Sequence, residues 1–215
     1  CATSLADEGL DVARLERLGP LRGTGVAIAS LVRSGHVREV AVRWLCTWDD
    51  PRALAFLIHR LNDYVGGVAG LAWQGLERRL QPVHAPLFVH CLPLLGRMAT
   101  WVRAAPARQK QLRELLLRPH PACRQALWDG LRERDAEVVL ESAKLLAAVY
   151  LGQPEMRGVL TAALSVRDQR TRLWAARLAV DAVCTPREVL FELVARLETD
   201  RSPAIRALGL EGRAL

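Results

Sequence analysis

A spacing of 33 residues constrains this chain more than any other feature. Leu61, Leu131, Leu164 and Leu197 stand 70, 33 and 33 residues apart. Leu57, Leu127, Leu160 and Leu193, each four residues earlier, keep the same separations. An i, i+4 pair of this kind marks one face of a helix. A second series follows the first: Val68, Val138 and Thr171 come seven residues after the matching Leu, and Ile205 comes eight after it. Four residues further on stand the small side chains Ala72, Ser142, Ala175 and Gly209. Val37, Ala41 and Leu45 form an earlier copy of this second helix. The double-length gap is expected to hold one irregular copy at about 83–118, interrupted by Pro93 and Pro106.

Punctuation agrees with the period. Pro51, Pro121, Pro154, Pro186 and Pro203 are each predicted to open a helix, where the missing N–H costs nothing. Asp50, Thr185 and Ser202 precede three of them as N-caps. Polar turns lie between the paired helices, at Asn62-Asp63, Arg134-Asp135, Arg167-Asp168 and Thr199-Asp200. Short turns force neighbouring helices to pack antiparallel. First helices are therefore predicted at about 51–61, 121–131, 154–164 and 186–197. Second helices are predicted at about 36–46, 67–80, 136–150, 169–182 and 203–213. A broken or long helix near 85–104 and another at 106–117 fill the irregular copy. Apolar residues at 51% suffice for a core, and a low aromatic content of 5% favours an all-α chain over a β one. No run of about 18 uninterrupted apolar residues exists, which excludes a membrane-spanning helix.

Several segments resemble HEAT repeats. Val37-Arg38-x-x-Ala41 matches the second helix of that family, as do Asp168 through Thr171-Arg172-x-x-Ala175, and Asp200 with Ile205-Arg206. Asp50-Pro51-Arg52-Ala53-Leu54 with Arg60-Leu61-Asn62-Asp63 resembles the first helix of bacterial HEAT-like repeats. The resemblance covers roughly residues 30–215. It implies a right-handed α-solenoid of antiparallel helix pairs, about five to six repeats long, forming a single domain over residues 1–215. It also implies a ladder of hydrogen bonds between Asp and Arg of successive repeats. Ala69 and Val139 replace the Arg in two copies, so this ladder is expected to be incomplete. End repeats need a polar outer face. None is evident at either end, and the sequence is expected to be a segment of a longer chain.

Chemistry-bearing residues are sparse. The five cysteines are scattered without a CxxC pair, which reads as a reduced, cytoplasmic set. None of His36, His59, His84, His90 or His120 is followed by Glu, so the iron-binding His-Glu pairs of the similar deoxyhypusine hydroxylases are missing. The spacing of His84, His90, Cys91, His120 and Cys123 lacks the paired ligands of a closed zinc site. No P-loop, G-x-S-x-G or dinucleotide fingerprint occurs. No catalytic residue, metal or cofactor is expected.

A net charge of +7 raises a polyanionic partner, but the cations are almost all Arg, with only Lys110 and Lys144. Second helices usually line the concave face of a HEAT solenoid. The binding candidates there are Arg38, Arg43, Arg78, Arg79, Lys144, Arg172, Arg177 and Arg206. The expected function is a non-enzymatic scaffold offering a curved surface to a protein partner. The alternative is a nucleic-acid-binding solenoid, including a DNA glycosylase for alkylated bases. That reading rests on Trp48 with Asp49 and Asp50, Trp128 with Asp129, and Trp44, Trp73, Trp101 and Trp174.

Overall fold

The computed structural model describes residues 22–48, 50–103, 106–181 and 187–214. All regular structure among them is helical. Helices α1 (Arg22–Ala29), α2 (Gly35–Thr47), α3 (Ala53–Arg60) and α4 (Gly66–Glu77) come first. Then follow α5 (Ala85–His90), α6 (Leu92–Arg97) and α7 (Pro106–Leu117), with short 3-10 turns at Pro82–His84 and Met98–Thr100. The remainder is α8 (Pro121–Gly130), α9 (Ala136–Tyr150), α10 (Met156–Ser165), α11 (Gln169–Val180), α12 (Arg187–Glu198) and α13 (Pro203–Ala214). The chain divides into two compact units, Cys1–Leu115 and Leu116–Leu215.

Neighbours in sequence pack together in both units. In the first, α1 packs on α2, α2 on α3, α3 on α4, and α2 also on α4. In the second, α8–α9, α9–α10, α10–α11, α11–α12 and α12–α13 are in contact, and α9–α11 and α11–α13 meet one helix apart. The two leucine series form the cores, with none of the eight more than 7% exposed. The small positions Ala72, Ser142, Ala175 and Gly209 are buried as well. They let helices approach closely. A Cβ on Gly209 would lie 2.8 Å from the Glu198 backbone nitrogen, and one on Gly75 would lie 2.5 Å from Cys46 Sγ.

The irregular segment is more broken than one long helix. It splits at Cys91, because Pro93 has no N–H to continue the hydrogen bonding of α5 into α6. Among the helix-opening prolines, Pro121 and Pro203 are first helical residues, while Pro51 and Pro154 sit two residues ahead of theirs. Pro186 and Thr185 lie outside the described residues.

An arginine clasp recurs at the start of three helices. Arg38, Arg172 and Arg206 are each the fourth residue of their helix. Arg38 Nη1 donates to the carbonyls of Val32 and Arg33 at 3.1 and 2.5 Å. Arg172 Nη1 donates to Val166 and Arg167 at 3.1 and 2.7 Å. Arg206 Nη1 donates to Asp200 and Arg201 at 2.9 and 3.1 Å. In each case the acceptors are six and five residues back. The other edge of two of these guanidiniums forks onto a carboxylate of the following turn. Arg38 reaches Asp63 at 2.7 and 2.9 Å, and Arg172 reaches Asp200 at 2.9 and 3.4 Å. The Arg38 guanidinium carbon stands over the Tyr64 ring, 4.5 Å from its centroid.

The turn aspartates divide into two kinds. Asp135 and Asp168 directly precede their helices, and their carboxylates cap the first turn through Val138 N and Thr171 N. Asp63 and Asp200 stand three residues ahead of theirs, which carries the carboxylate out to the incoming arginine. They still accept from Val65 N and Ser202 N, at 2.9 and 2.7 Å. The Ala69 and Val139 copies have no arginine at the fourth helical position. There the residue in the place of Asp63 and Asp200 is not acidic either: it is Arg103 at one step and Val166 at the other. A buried arginine without its carboxylate would be an uncompensated charge, so the two members are absent together.

Burial opposes ionisation of Asp63 and Asp200, but hydrogen bonds from arginine and from the turn amides outweigh it, and both carboxyls titrate below their usual range. The folded state thus binds fewer protons than the unfolded chain. The stability this adds is complete above the unfolded value of about 3.9 and is lost as pH falls through the depressed folded values. We predict that Arg38→Ala lowers stability by about 3 kcal/mol at neutral pH in urea denaturation. The loss should shrink below about pH 4, where wild type forfeits the same pair.

Candidate interaction site

The sequence-derived binding arginines fall into different roles. Arg38 and Arg172 are 1% and 4% exposed, held in the clasps. Arg206 is committed to the turn before α13. Arg79 closes the end of α2, donating to the carbonyls of Leu45 and Cys46 at 3.3 Å each, and to that of Trp48. This satisfies carbonyls that a helix end leaves without partners. Arg43 pairs with Glu39 and Lys144 with Glu141 along their own helices. Arg78 and Arg177 are exposed. Four of these residues, Arg38 and Arg79 in the first unit and Arg172 and Arg206 in the second, thus act at turns and helix ends.

The residues weighed for catalysis are also structurally engaged. Asp50 is paired with Arg52, and Asp129 accepts from Arg132 and Gln125 at 3.0 and 2.9 Å. Asp49 lies outside the described residues. His59 packs edge-on against Trp101, with ring centroids 5.9 Å apart; burial and then the Arg60 charge hold its pKa down. His120 Nδ1 accepts from Ala122 N at the start of α8. Among the described residues no group of three or more His, Cys, Asp or Glu is placed to hold a metal ion. No described helix is long and apolar enough to cross a membrane.

A concave feature lies in the second unit. A cavity of about 870 Å³ opens between the α8–α9 turn and the α10–α11 turn. Its apolar wall comprises Trp128, Leu131, Val139, Ala162 and Val166, and its polar rim includes Arg132, Glu133, Arg134, Arg167 and Asp168. Its position follows from the clasp. Val139 occupies the fourth place of α9, and counting back six and five residues gives Glu133 and Arg134. Those two, with Val166 in the place of the clasp aspartate, all line the cavity. Where Arg38–Asp63 and Arg172–Asp200 fill the cleft between consecutive turns, this step has two valines.

A second tie differs at the same place. Tyr64 Oη donates to the Arg33 carbonyl at 3.2 Å, and Arg201 Nη2 donates to the Arg167 carbonyl at 2.6 Å. Both straps join residues that stand two positions ahead of a helix. The corresponding pair at the valine step is Arg134 and Arg167, and both side chains are exposed at the cavity rim. Arg132 is paired with Asp129, whereas Arg134 and Arg167 meet no carboxylate among the described residues. Asp168 is occupied by the backbone and hydroxyl of Thr171, at 2.7 and 2.8 Å. Burial raises its pKa, but these bonds outweigh that and hold the carboxyl below its usual range.

Sequence reasoning noted Val139 as a missing arginine but not the cavity. The available signal was the simultaneous loss of the acidic partner at Val166. It becomes visible only once the start of α11 is fixed.

No known protein-family model matches the chain, and no curated protein matches it.

The cysteines bear on redox or nucleophilic chemistry. Cys91 and Cys123 are buried, and burial pushes the Cys91 thiol up to about 12. The thiolate is the reactive form, and burial suppresses it at Cys91. We predict that peptide-resolved mass spectrometry after iodoacetamide treatment at pH 8 finds Cys91 unmodified in the folded protein. It should become labelled on denaturation.

Proposed function

We propose that the chain is a right-handed α-solenoid of HEAT-like repeats acting as a non-enzymatic interaction module for a protein partner. The observation that supports the repeat reading is the clasp: Arg38, Arg172 and Arg206 make the same bonds at the same helical position. Sequential packing of neighbouring helices agrees with it. The role as a binding module is supported by the use of the polar groups. Buried arginines and turn aspartates are bound to one another and to backbone, which is the chemistry of a scaffold. A repeat stack exposes much surface for its length, and such surfaces serve recognition.

A second reading keeps nucleic acid as the partner. It is supported by the net charge of +7 and by exposed arginines at consecutive turns, Arg134, Arg167 and Arg201. Binding that neutralises phosphates releases counterions and weakens steeply with salt. Fluorescence anisotropy with a labelled DNA duplex at about 50 mM and about 200 mM salt separates the two. For a protein-binding module we expect weak association at the lower salt and none at the higher. Tight binding with a steep salt slope would favour the nucleic-acid reading.

A further inference from the structure

We propose that the cavity at the Val139–Val166 step is a docking pocket for a partner peptide, receiving one apolar side chain flanked by carboxylates. This rests on the reading of the chain as a protein-binding module, and it names the site and the chemistry of the occupant. Three observations support it. The cleft that a buried Arg–Asp pair fills at the neighbouring step is walled here by valines, with the Trp128 ring and Ala162 completing an apolar surface. Its volume of about 870 Å³ accommodates a large side chain with its flanking backbone. The rim carries Arg134 and Arg167, two exposed guanidiniums that meet no carboxylate among the described residues. Of the acidic groups on the rim, Asp168 is already engaged by Thr171. That leaves Glu133 against two free arginines.

The carboxylates of an acidic peptide pair with Arg134 and Arg167, and the guanidinium fork favours bidentate contact. Its apolar side chain displaces water from the valine walls. The exposed carbonyl side of the Glu133–Arg134 turn, which at other steps accepts from the clasp arginine, is free to accept peptide N–H groups. An arginine-bearing ligand is disfavoured. Val166 stands where the clasp supplies its aspartate, and Arg132, Arg134 and Arg167 would repel the incoming charge.

The test uses the full chain and a fluorescein-labelled peptide of Asp, Glu and Ser with a single central Phe. Controls are the same peptide with Ser for Phe, a Lys-flanked Phe peptide, and the DNA duplex. Saturable binding of the acidic Phe peptide is expected, with each control peptide weaker by about tenfold or more. Two variants locate the site. Val139→Arg/Val166→Asp rebuilds the clasp and is expected to fill the cleft, reducing affinity about tenfold with the thermal midpoint unchanged or somewhat lower. Arg134→Glu/Arg167→Glu changes only exposed side chains, and it is expected to weaken the acidic peptide and relieve discrimination against the Lys-flanked one. If the first variant fails to fold, the second decides.

Absence of saturable peptide binding overturns the pocket. So does tighter binding of the Lys-flanked peptide, or binding that Arg134→Glu/Arg167→Glu leaves unchanged. With DNA also unbound, those results leave the protein-module reading in place. Tight DNA binding abolished by Arg134→Glu/Arg167→Glu overturns both.

Discussion

The buried pair of Arg38 and Asp63 is the interaction on which the rest of the first unit's architecture turns, and Arg172 with Asp200 repeats it in the second. Neither ion could be buried alone, since desolvating a single charge costs several kcal/mol. Burial is tolerated because every donor has a place. Two guanidinium donors meet the carboxylate, and a third meets the last carbonyls of the preceding turn. The carboxylate in turn accepts from an amide at the start of the next helix. One side chain thereby joins three stretches of backbone that the hydrophobic core alone would leave free to slide. Leucine faces supply most of the burial, but they are non-directional. The clasp sets which turn sits beside which.

The same logic accounts for the step that lacks it. Removing only one partner would strand a charge, whereas replacing both with apolar residues of moderate size is tolerated. Val139 and Val166 are that replacement. Their short side chains do not reach across the cleft as Arg and Asp do, and the cavity beside Trp128 is the consequence. A change that relieves an electrostatic constraint on folding therefore also opens a concave surface in the second unit. Arg134 and Arg167 remain at its edge because the strap made by Arg201 on one neighbouring turn is not made there.

Much of the helical framework was legible in the chain. The leucine spacing, the prolines and the turn aspartates placed the paired helices to within a few residues. Each of those signals is local and depends on a period or a cap. In the irregular segment the interruption at Pro93 was legible, whereas the two short helices around it and their flanking 3-10 turns were not. Periodicity assigns a helix face to Arg38, Arg172 and Arg206 but does not show that a fourth-position arginine curls back to the turn before its helix. The turn aspartates look alike in sequence, yet a displacement of two residues against the helix start separates a capping aspartate from a clasping one. That displacement follows from where Gly66 and Pro203 begin their helices. The cavity lies a stage further on, since it requires pairing Val139 with a residue 27 positions away.

The most direct test of the clasp is a double-mutant cycle on Arg172 and Asp200, using Arg172→Met, Asp200→Asn and the double variant in urea denaturation at neutral pH. If the pair organises the turns as described, the two changes are strongly non-additive, with a coupling energy of about 1–3 kcal/mol. Additivity to within about 0.3 kcal/mol would mean that the two side chains stabilise the fold independently, and the clasp would not be the organising interaction.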